Sequence, residues 1–128
     1  TEGEEEGRRR RSQVKVKEIQ ERFGLSVACG QKGLDREVAG GYCGDLLSDV
    51  MAYAPKGGIW MTIQSHQNIL AVAVLRELSA IVLVNGRTPD QETAKRADEE
   101  GIPILVYQGG SFDLAGRLYE FGIGRVKG

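Results

Sequence analysis

The sequence predicts a three-layer α/β/α domain built on a mainly parallel sheet. Two short segments, Ile81-Val82-Leu83-Val84 and Ile104-Leu105-Val106, are apolar at every position. Such runs are typical of strands that helices cover on both faces. These segments alternate with longer ones that have the spacing and end signals of helices, which favours parallel pairing. We therefore expect the strands ending at Ile63, Val84 and Tyr107 to be neighbours in one sheet.

The predicted elements run helix, strand, strand, helix, followed by three strand–helix units. In chain order they are helix 16–23, strands 25–29 and 37–42, helix 45–53, strand 59–63, helix 67–78, strand 80–84, helix 89–100, strand 104–107 and helix 112–121. Val16, Ile19 and Phe23 recur at helical spacing, and Gly24 follows as a stop signal. A turn that contains glycine separates the first two strands, and the second helix ends before Pro55.

The boundaries of the later units are set by proline, glycine and a capping residue. Thr88 is predicted as the N-cap of the helix over 89–100, with Pro89 at its first position. Gly101 and Pro103 separate that helix from the last strand, and Gly122 closes the final helix.

A glycine-containing signature lies near the start of the folded part of the chain. It reads Asp35-Arg36-Glu37-Val38-Ala39-Gly40-Gly41-Tyr42 and runs into Gly44-Asp45-Leu46-Leu47-Ser48-Asp49-Val50-Met51. Adjacent glycines allow positive φ or close approach of another segment. Asp45 stands where a helix N-cap would stand, so the chain is predicted to leave a strand, turn on glycine and enter a helix.

This stretch resembles the DRTGG domain family. The resemblance rests on Asp35-Arg36 and Gly40-Gly41, with Glu37-Val38-Ala39 between them, and on the continuation through Tyr42 and Leu46-Leu47-Ser48-Asp49-Val50. It covers roughly residues 14–126. The family is similar to the N-terminal domain of bacterial HPr kinase/phosphorylase, which implies the same three-layer fold, and it also occurs alone and fused to other modules. The motif or interface candidates are Asp35, Arg36, Gly40, Gly41, Tyr42, Asp45, Ser48 and Asp49.

The composition is that of one soluble domain. The 128 residues are 41% hydrophobic and 27% charged, with a net charge of -1, which argues against a dedicated nucleic-acid binder. No apolar run approaches the ~18 residues of a membrane span, and no secretory signal pattern is present.

We expect residues 1–13, an acidic run followed by an arginine run, to be a disordered tail or an expression remnant. Residues 14–128 then form a single domain.

The two cysteines, Cys29 and Cys43, lack the spacing of a metal site or a redox motif. Reduced, buried thiols in a cytoplasmic protein are the simplest interpretation. The sequence leaves a Cys29–Cys43 disulfide open.

Three polar loops are predicted to meet at the carboxyl edge of the sheet. They span 64–68, 85–90 and 108–113, and each leads into a helix N-terminus, whose N–H groups favour an anion. Arg87 would be the cation of this site, and His66 its only group that titrates near neutrality. The candidate ligand-binding residues are Ser65, His66, Asn68, Asn85, Arg87, Thr88, Gly109, Gly110 and Ser111.

Ordinary structural roles compete with ligand binding at each of these loops. Ser65 or His66, Thr88 and Ser111 could be helix caps, and Asn85-Gly86 is a good turn dipeptide. Asp45 and Asp49, four residues apart, could together hold Mg²⁺. Capping by Asp45 and solvation of Asp49 are favoured instead. No metal and no cofactor is therefore predicted.

Known catalytic motifs are missing from the sequence. It has no Gly-x-x-x-x-Gly-Lys-Ser/Thr loop, no Gly-x-Ser-x-Gly elbow and no cluster with metal-ligand spacing. The kinase activity of HPr kinase/phosphorylase belongs to a separate P-loop domain that this chain lacks. We therefore expect a non-enzyme.

Three functions remain open, in descending order of preference. The first is a regulatory or sensory domain that binds a small anionic or nucleotide-like ligand and signals to a partner enzyme or regulatory module. The second is an interaction or oligomerisation module without a ligand, for which exposed apolar surface around Tyr42, Tyr53 and Trp60 would be the sign. The third is a small enzyme using His66 and Arg87.

We also expect a homo-oligomer with contacts at Gly40-Gly41-Tyr42, and neither nucleic-acid nor membrane binding.

Overall fold

The computed structural model describes residues 14–124. Within them, five α-helices and five strands form one α/β unit around a single sheet. In chain order the elements are α1 (Val16–Arg22), β1 (Ser26–Cys29), a 3₁₀ turn (Gln31–Gly33), β2 (Gly40–Cys43), α2 (Leu47–Tyr53), β3 (Gly58–Thr62), α3 (Asn68–Leu75), β4 (Ala80–Leu83), α4 (Gln91–Glu100), β5 (Ile104–Val106) and α5 (Ser111–Phe121).

The sheet is mainly parallel, as the apolar strands predict. Its order is β1-β5-β4-β3-β2, with β2 to β5 parallel and β1 antiparallel to β5. Trp60 pairs with Ile81, and Ile81 pairs with Ile104. The predicted neighbourhood of the three later strands is therefore confirmed.

Helices cover both faces of the sheet, which confirms the three-layer architecture. One apolar cluster joins α1 and α5 to one face of the sheet through residues such as Ile19 and Leu114. The other joins α2, α3 and α4 to the opposite face through residues such as Val50, Ile69 and Ala97. Because successive side chains of a strand point to opposite faces, β3 contributes Ile59 and Met61 to the first cluster and Trp60 to the second. The polar loops between the strands and helices lie at the ends of this core.

The strand predicted over 37–42 begins three residues later, at Gly40. The preceding residues pair with the start of α1 instead, through hydrogen bonds from the Val38 amide to the Val14 carbonyl and from the Val16 amide to the Arg36 carbonyl. Glu37 forms only a single antiparallel bridge, to Lys15. The other predicted strands and helices are found within one to three residues of their predicted bounds.

The amino edge of the sheet is held by very close backbone contacts. Gly30 has a φ of +72°, and a Cβ at this position would overlap the carbonyl oxygen of Ile102. The Gly30 amide donates to Asp98 Oδ1 at 2.6 Å. Arg36 donates from Nε to the Gly101 carbonyl at 3.1 Å and from Nη1 to the Leu78 carbonyl at 3.4 Å. The arginine of the signature thus ties together the segments that lead into β4 and β5.

Cys29 and Cys43 are both free thiols. They lie on β1 and β2, at opposite edges of the sheet, so the disulfide that the sequence left open is absent. Burial raises the pKa of Cys29 to about 11, helped by the negative charge of Asp98. Cys43 is exposed rather than buried, contrary to the expectation of two buried thiols.

None of the helices in residues 14–124 is long and apolar enough to cross a membrane. The predicted tail, residues 1–13, lies outside the described residues, as do residues 125–128 of the predicted domain.

Candidate functional site

The three polar loops lie side by side at the carboxyl edge of the sheet, because β3, β4 and β5 are adjacent and parallel. The Ser65 carbonyl accepts from the Asp90 amide at 3.1 Å and from Thr93 Oγ1 at 2.7 Å. On the other side, the Asn85 amide donates to the Gly109 carbonyl at 2.9 Å. The loop over 85–90 is therefore bound to both of the others and stands between them.

His66 adds a side-chain link between the first two loops. Its Nδ1 lies 2.9 Å from Asp90 Oδ2, and both side chains are exposed. Because the Asp90 carboxylate accepts from Nδ1, the ring orientation is set and Nε2 remains for another partner. This contact positions an imidazole at the rim of the three loops.

Arg87 is exposed in the central loop. Among residues 14–124, its guanidinium has no hydrogen-bond or ion-pair partner. A guanidinium offers five donors in a planar fork that fits carboxylate or phosphate oxygens. Within the part of the chain that the structure describes, Arg87 is thus a cation with no partner, in the central loop of the three.

The helix-capping roles that were predicted as alternatives to ligand binding are wrong. The N-cap residues of α3, α4 and α5 are Gln67, Asp90 and Gly110, and none makes a side-chain cap hydrogen bond. The helix over 89–100 starts at Gln91, two residues after Pro89, so Thr88 is an exposed loop residue and not a cap. Ser111 is the first helical residue of α5 rather than its cap.

The predicted turn at Asn85-Gly86 is confirmed. Both residues have left-handed backbones, with φ of 58° and 68°. The Gly86 amide donates to the Tyr107 carbonyl at 2.9 Å, and a Cβ on Gly86 would lie 2.7 Å from Gln108 Oε1. The turn is therefore fitted closely against the third loop.

Asp45 does not cap α2, whose N-cap is Leu46. The Asp45 carboxylate accepts from Thr62 Oγ1 at 2.8 Å and from the Ile63 amide at 2.9 Å. The Asp45 carbonyl also accepts from Gln64 Nε2 at 3.0 Å. Asp45 thus binds the loop after β2 to the end of β3. Nothing in the local sequence indicates that this carboxylate will reach a neighbouring strand, so the contact could not be predicted.

The Mg²⁺ alternative gains no support from the two aspartates. Asp45 is engaged by donors of β3, and Asp49 accepts from the Tyr42 hydroxyl. No group of three or more His, Cys, Asp or Glu residues within 14–124 is arranged to hold a metal. The hydrogen bond to Asp49 also raises the pKa of Tyr42 to about 12, because it stabilises the protonated phenol.

Phe112 is a residue of this edge that the sequence analysis did not select. It is the second residue of α5 and its side chain is 95% exposed. The first turn of α5 is fixed to β5, since the Tyr107 hydroxyl donates to Asp113 and Asp113 pairs with Arg117 at 3.3 Å. The signal in the sequence was an aromatic residue directly after Gly109-Gly110-Ser111.

The remaining signature residues lie away from this edge or at its side. Gly40 is buried against the ring of Pro55, whereas Gly41 is exposed on β2, the last strand of the sheet. Asp35 and Ser48 are exposed. Trp60 is completely buried and donates from Nε1 to the Gly44 carbonyl at 2.8 Å, so it adds nothing to the exposed apolar surface expected there. Of the other two residues of that surface, Tyr53 is 72% exposed and Tyr42 is half-buried.

A small cleft of about 160 Å³ lies between β2 and α5. Tyr42, Cys43 and Met61 line it on the sheet side, and Leu118 and Tyr119 line it on the helix side. Cys43 Sγ lies 3.9 Å from Met61 Sδ. Cys43 is exposed as a residue, but its thiol is part-buried against Met61, and this desolvation, followed by the charge of Asp45, raises the Cys43 pKa.

Comparison with known proteins identifies the fold. No family model matches the chain, and no curated protein matches it in sequence. Among solved structures, it is similar to the CBS and DRTGG domains of the regulatory region of Clostridium perfringens pyrophosphatase, complexed with the activator diadenosine tetraphosphate. The TM-score is 0.67 at 15% identity, over 86% of this chain and 48% of that one. The chain thus spans about half of that structure, and its resemblance to the DRTGG family is confirmed at the level of the fold.

Proposed function

We propose that this chain is a non-catalytic regulatory domain that binds a small anionic or nucleotide-like ligand at the carboxyl edge of its sheet. Occupancy of this edge would be signalled to a partner enzyme or regulatory module. The observation that carries the proposal is Arg87, an exposed guanidinium without a partner among the described residues, in a loop bound to both neighbouring loops. The domain is proposed to act in the cytoplasm.

Two further features support this assignment. The central loop is bound by main-chain hydrogen bonds to both neighbouring loops, and His66 pairs with Asp90, so a ligand held between the loops would meet groups that already have fixed positions, at a lower ordering cost. The structural relative is a regulatory region bound to a nucleotide activator. The non-catalytic assignment follows from the missing P-loop and the other missing catalytic motifs.

Titration calorimetry with ATP, diadenosine tetraphosphate and pyrophosphate tests the proposal. We expect Arg87→Ala to weaken binding by about 1.5–3 kcal/mol, the range for a charged hydrogen-bond partner. Lys95→Ala is the matched control, because it removes the same charge from an exposed position of α4. Absence of binding by the unaltered protein, or equal losses in the two variants, would contradict a site at Arg87.

A second candidate function, assembly with another copy of the chain, is favoured by the outer surface of α2 and α3. Helix α3 has no charged residue, and its outward-facing Leu75 is 69% exposed. Leu46, Tyr53 and Val74 are also exposed nearby along the two helices. A helix this apolar is usually covered all round. Among residues 14–124, α3 packs on the sheet and lies between α2 and α4, while Val74 and Leu75 on its outer side stay exposed.

Sedimentation measurements test the assembly. We expect an oligomer in which Leu75→Glu lowers the association, while Gln91→Glu on the charged helix α4 leaves it unchanged. The contact predicted at Gly40-Gly41-Tyr42 is a competing interface, on the free edge of β2. A monomer at high micromolar concentration would remove both interfaces from consideration.

A further inference from the structure

The side chain of Phe112 has no structural role that explains its position. It is 95% exposed and belongs to neither apolar cluster, whereas Leu114 and Leu118 of the same helix are buried in the core. A large apolar ring in water contributes nothing to the hydrophobic stabilisation of the fold. Isolated exposed apolar residues are common on protein surfaces, so exposure alone would carry no inference. The surroundings of Phe112 are what make it informative.

Phe112 stands at the carboxyl edge, beside the loop of Arg87. The Asn85 amide is bonded to the Gly109 carbonyl, and a Cβ on Gly110 would lie 3.7 Å from Asn85 Oδ1. Arg87 lies two residues after Asn85, and Phe112 lies two residues after Gly110. The N-terminus of α5 is at this edge, and the Cα–Cβ bonds of a helix tilt toward its N-terminus, which favours a Phe112 ring near the Arg87 loop.

An exposed aromatic ring and an unpartnered guanidinium have complementary uses. The guanidinium fits phosphate oxygens, and the ring offers a face on which a planar heterocycle can stack. A simple phosphorylated metabolite would use the cation alone. A nucleotide has both a planar base and phosphates, and therefore matches the pair.

We propose that Phe112 is the base-stacking residue of the site, so that the ligand class is a nucleotide rather than a phosphorylated metabolite without a ring. This inference rests on the proposed function, because it uses the same edge and the same Arg87. Phe112 selects the ligand by its ring, and Arg87 holds the phosphates. The two residues therefore make separable contributions to affinity.

Binding of ATP and of pyrophosphate to Phe112→Ala tests the inference. Stacking of one base on an aromatic side chain is worth about a 5- to 150-fold change in affinity on alanine substitution. We expect a loss of that size for ATP and a change of less than about twofold for pyrophosphate. Phe112→Trp should retain ATP affinity. Tyr53→Ala is the matched control, because Tyr53 is another exposed aromatic residue, located at the far end of α2.

The outcomes separate this inference from the proposed function. If Arg87→Ala weakens both probes and Phe112→Ala weakens neither, base stacking is wrong and the anion site stands. Equal losses of ATP and pyrophosphate in Phe112→Ala would also overturn base stacking. If the unaltered protein binds neither probe, both proposals fail. A loss confined to ATP in Phe112→Ala supports the nucleotide.

Discussion

The two ends of the sheet use similar residues in opposite ways. At the amino edge, Arg36 donates to two main-chain carbonyls, and Gly30 lies against the backbone of Ile102. At the carboxyl edge, Arg87 is exposed without a partner among the described residues, and Phe112 is almost fully exposed. Both edges carry an arginine in a glycine-containing segment. Of these two arginines, only the one at the amino edge makes side-chain hydrogen bonds within residues 14–124.

The difference shows which part of the sequence signature maintains the structure. Arg36 satisfies carbonyl groups that lead into β4 and β5, so it stabilises the end of the sheet opposite the proposed site. The carboxyl edge is held mainly by main-chain bonds, by Asp45 and by Thr93, and none of these contacts uses the side chain of Arg87 or Phe112. Substitutions at the amino edge should therefore affect stability, and those at the carboxyl edge should affect binding.

The largest expected effect is that of Gly30→Ala. The new Cβ would overlap the Ile102 carbonyl oxygen at a residue with φ of +72°, so backbone strain and overpacking add. We expect the free energy of unfolding to fall by about 3 kcal/mol or more, measured by denaturant titration. Gly24→Ala is the control, because Gly24 has φ of +69° with open space around its Cβ position, and should cost about 1–2 kcal/mol. Equal costs for the two variants would show that the close contact is unimportant.

A smaller effect is expected when the two arginines are compared directly. Arg36→Ala leaves the Gly101 and Leu78 carbonyls without their charged donor, and should destabilise the fold by about 1.5 kcal/mol or more. Arg87→Ala should change the free energy of unfolding by about 0.5 kcal/mol or less. Arg36→Lys retains the charge without the planar fork and should recover little of the loss. If Arg87→Ala proved the more destabilising, the contrast between the edges would be wrong.

The smallest expected effect is a pH dependence near the signature. Hydrogen bonding to Asp49 raises the pKa of Tyr42 to about 12, from a reference value of 10.0. The folded state therefore favours the protonated phenol. Its contribution to stability is present below pH 10 and is lost as the pH rises through 12. In a spectrophotometric titration, Asp49→Asn should lower the pKa of this phenol, and Tyr42→Phe should remove its transition. If the transition that Tyr42→Phe removes lies at the ordinary pKa of a phenol, the Tyr42–Asp49 hydrogen bond is contradicted.

The sequence predicted the central part of the fold well because its strands are buried on both faces. The runs 81–84 and 104–106 are apolar at every position. Such short, fully apolar runs are typical of parallel strands that helices cover on both faces. The edge strands were harder to predict. No local pattern indicates that β1 pairs antiparallel with β5, far along the chain, or that residues 37–39 pair with the start of α1.

The candidate site was predicted both as three adjacent loops and as named side chains, of which the fold bears directly on the loops. Strand order alone brings the three loops together, so their adjacency followed from the parallel sheet. The predicted N-cap roles of Thr88 and Asp45 were wrong. A polar residue before a helix is a sequence signal for a cap, but the signal does not say where its side chain will point. The proposed ligand and partner remain predictions, since binding depends on side chains that a local pattern does not position.

The antiparallel pairing of β1 with β5 also has a consequence for how this chain folds. Ser26 pairs with Val106, so the first strand of the described residues has its partner in the last strand of the sheet, far along the chain. Closing so long a loop costs entropy before the pairing is gained. The parallel core of β3, β4 and β5 can form from segments closer in sequence, whereas β1 must wait for β5 to emerge. We therefore expect β1 to dock late in folding, which makes the outer edge of β5 the surface most exposed to mispairing during synthesis.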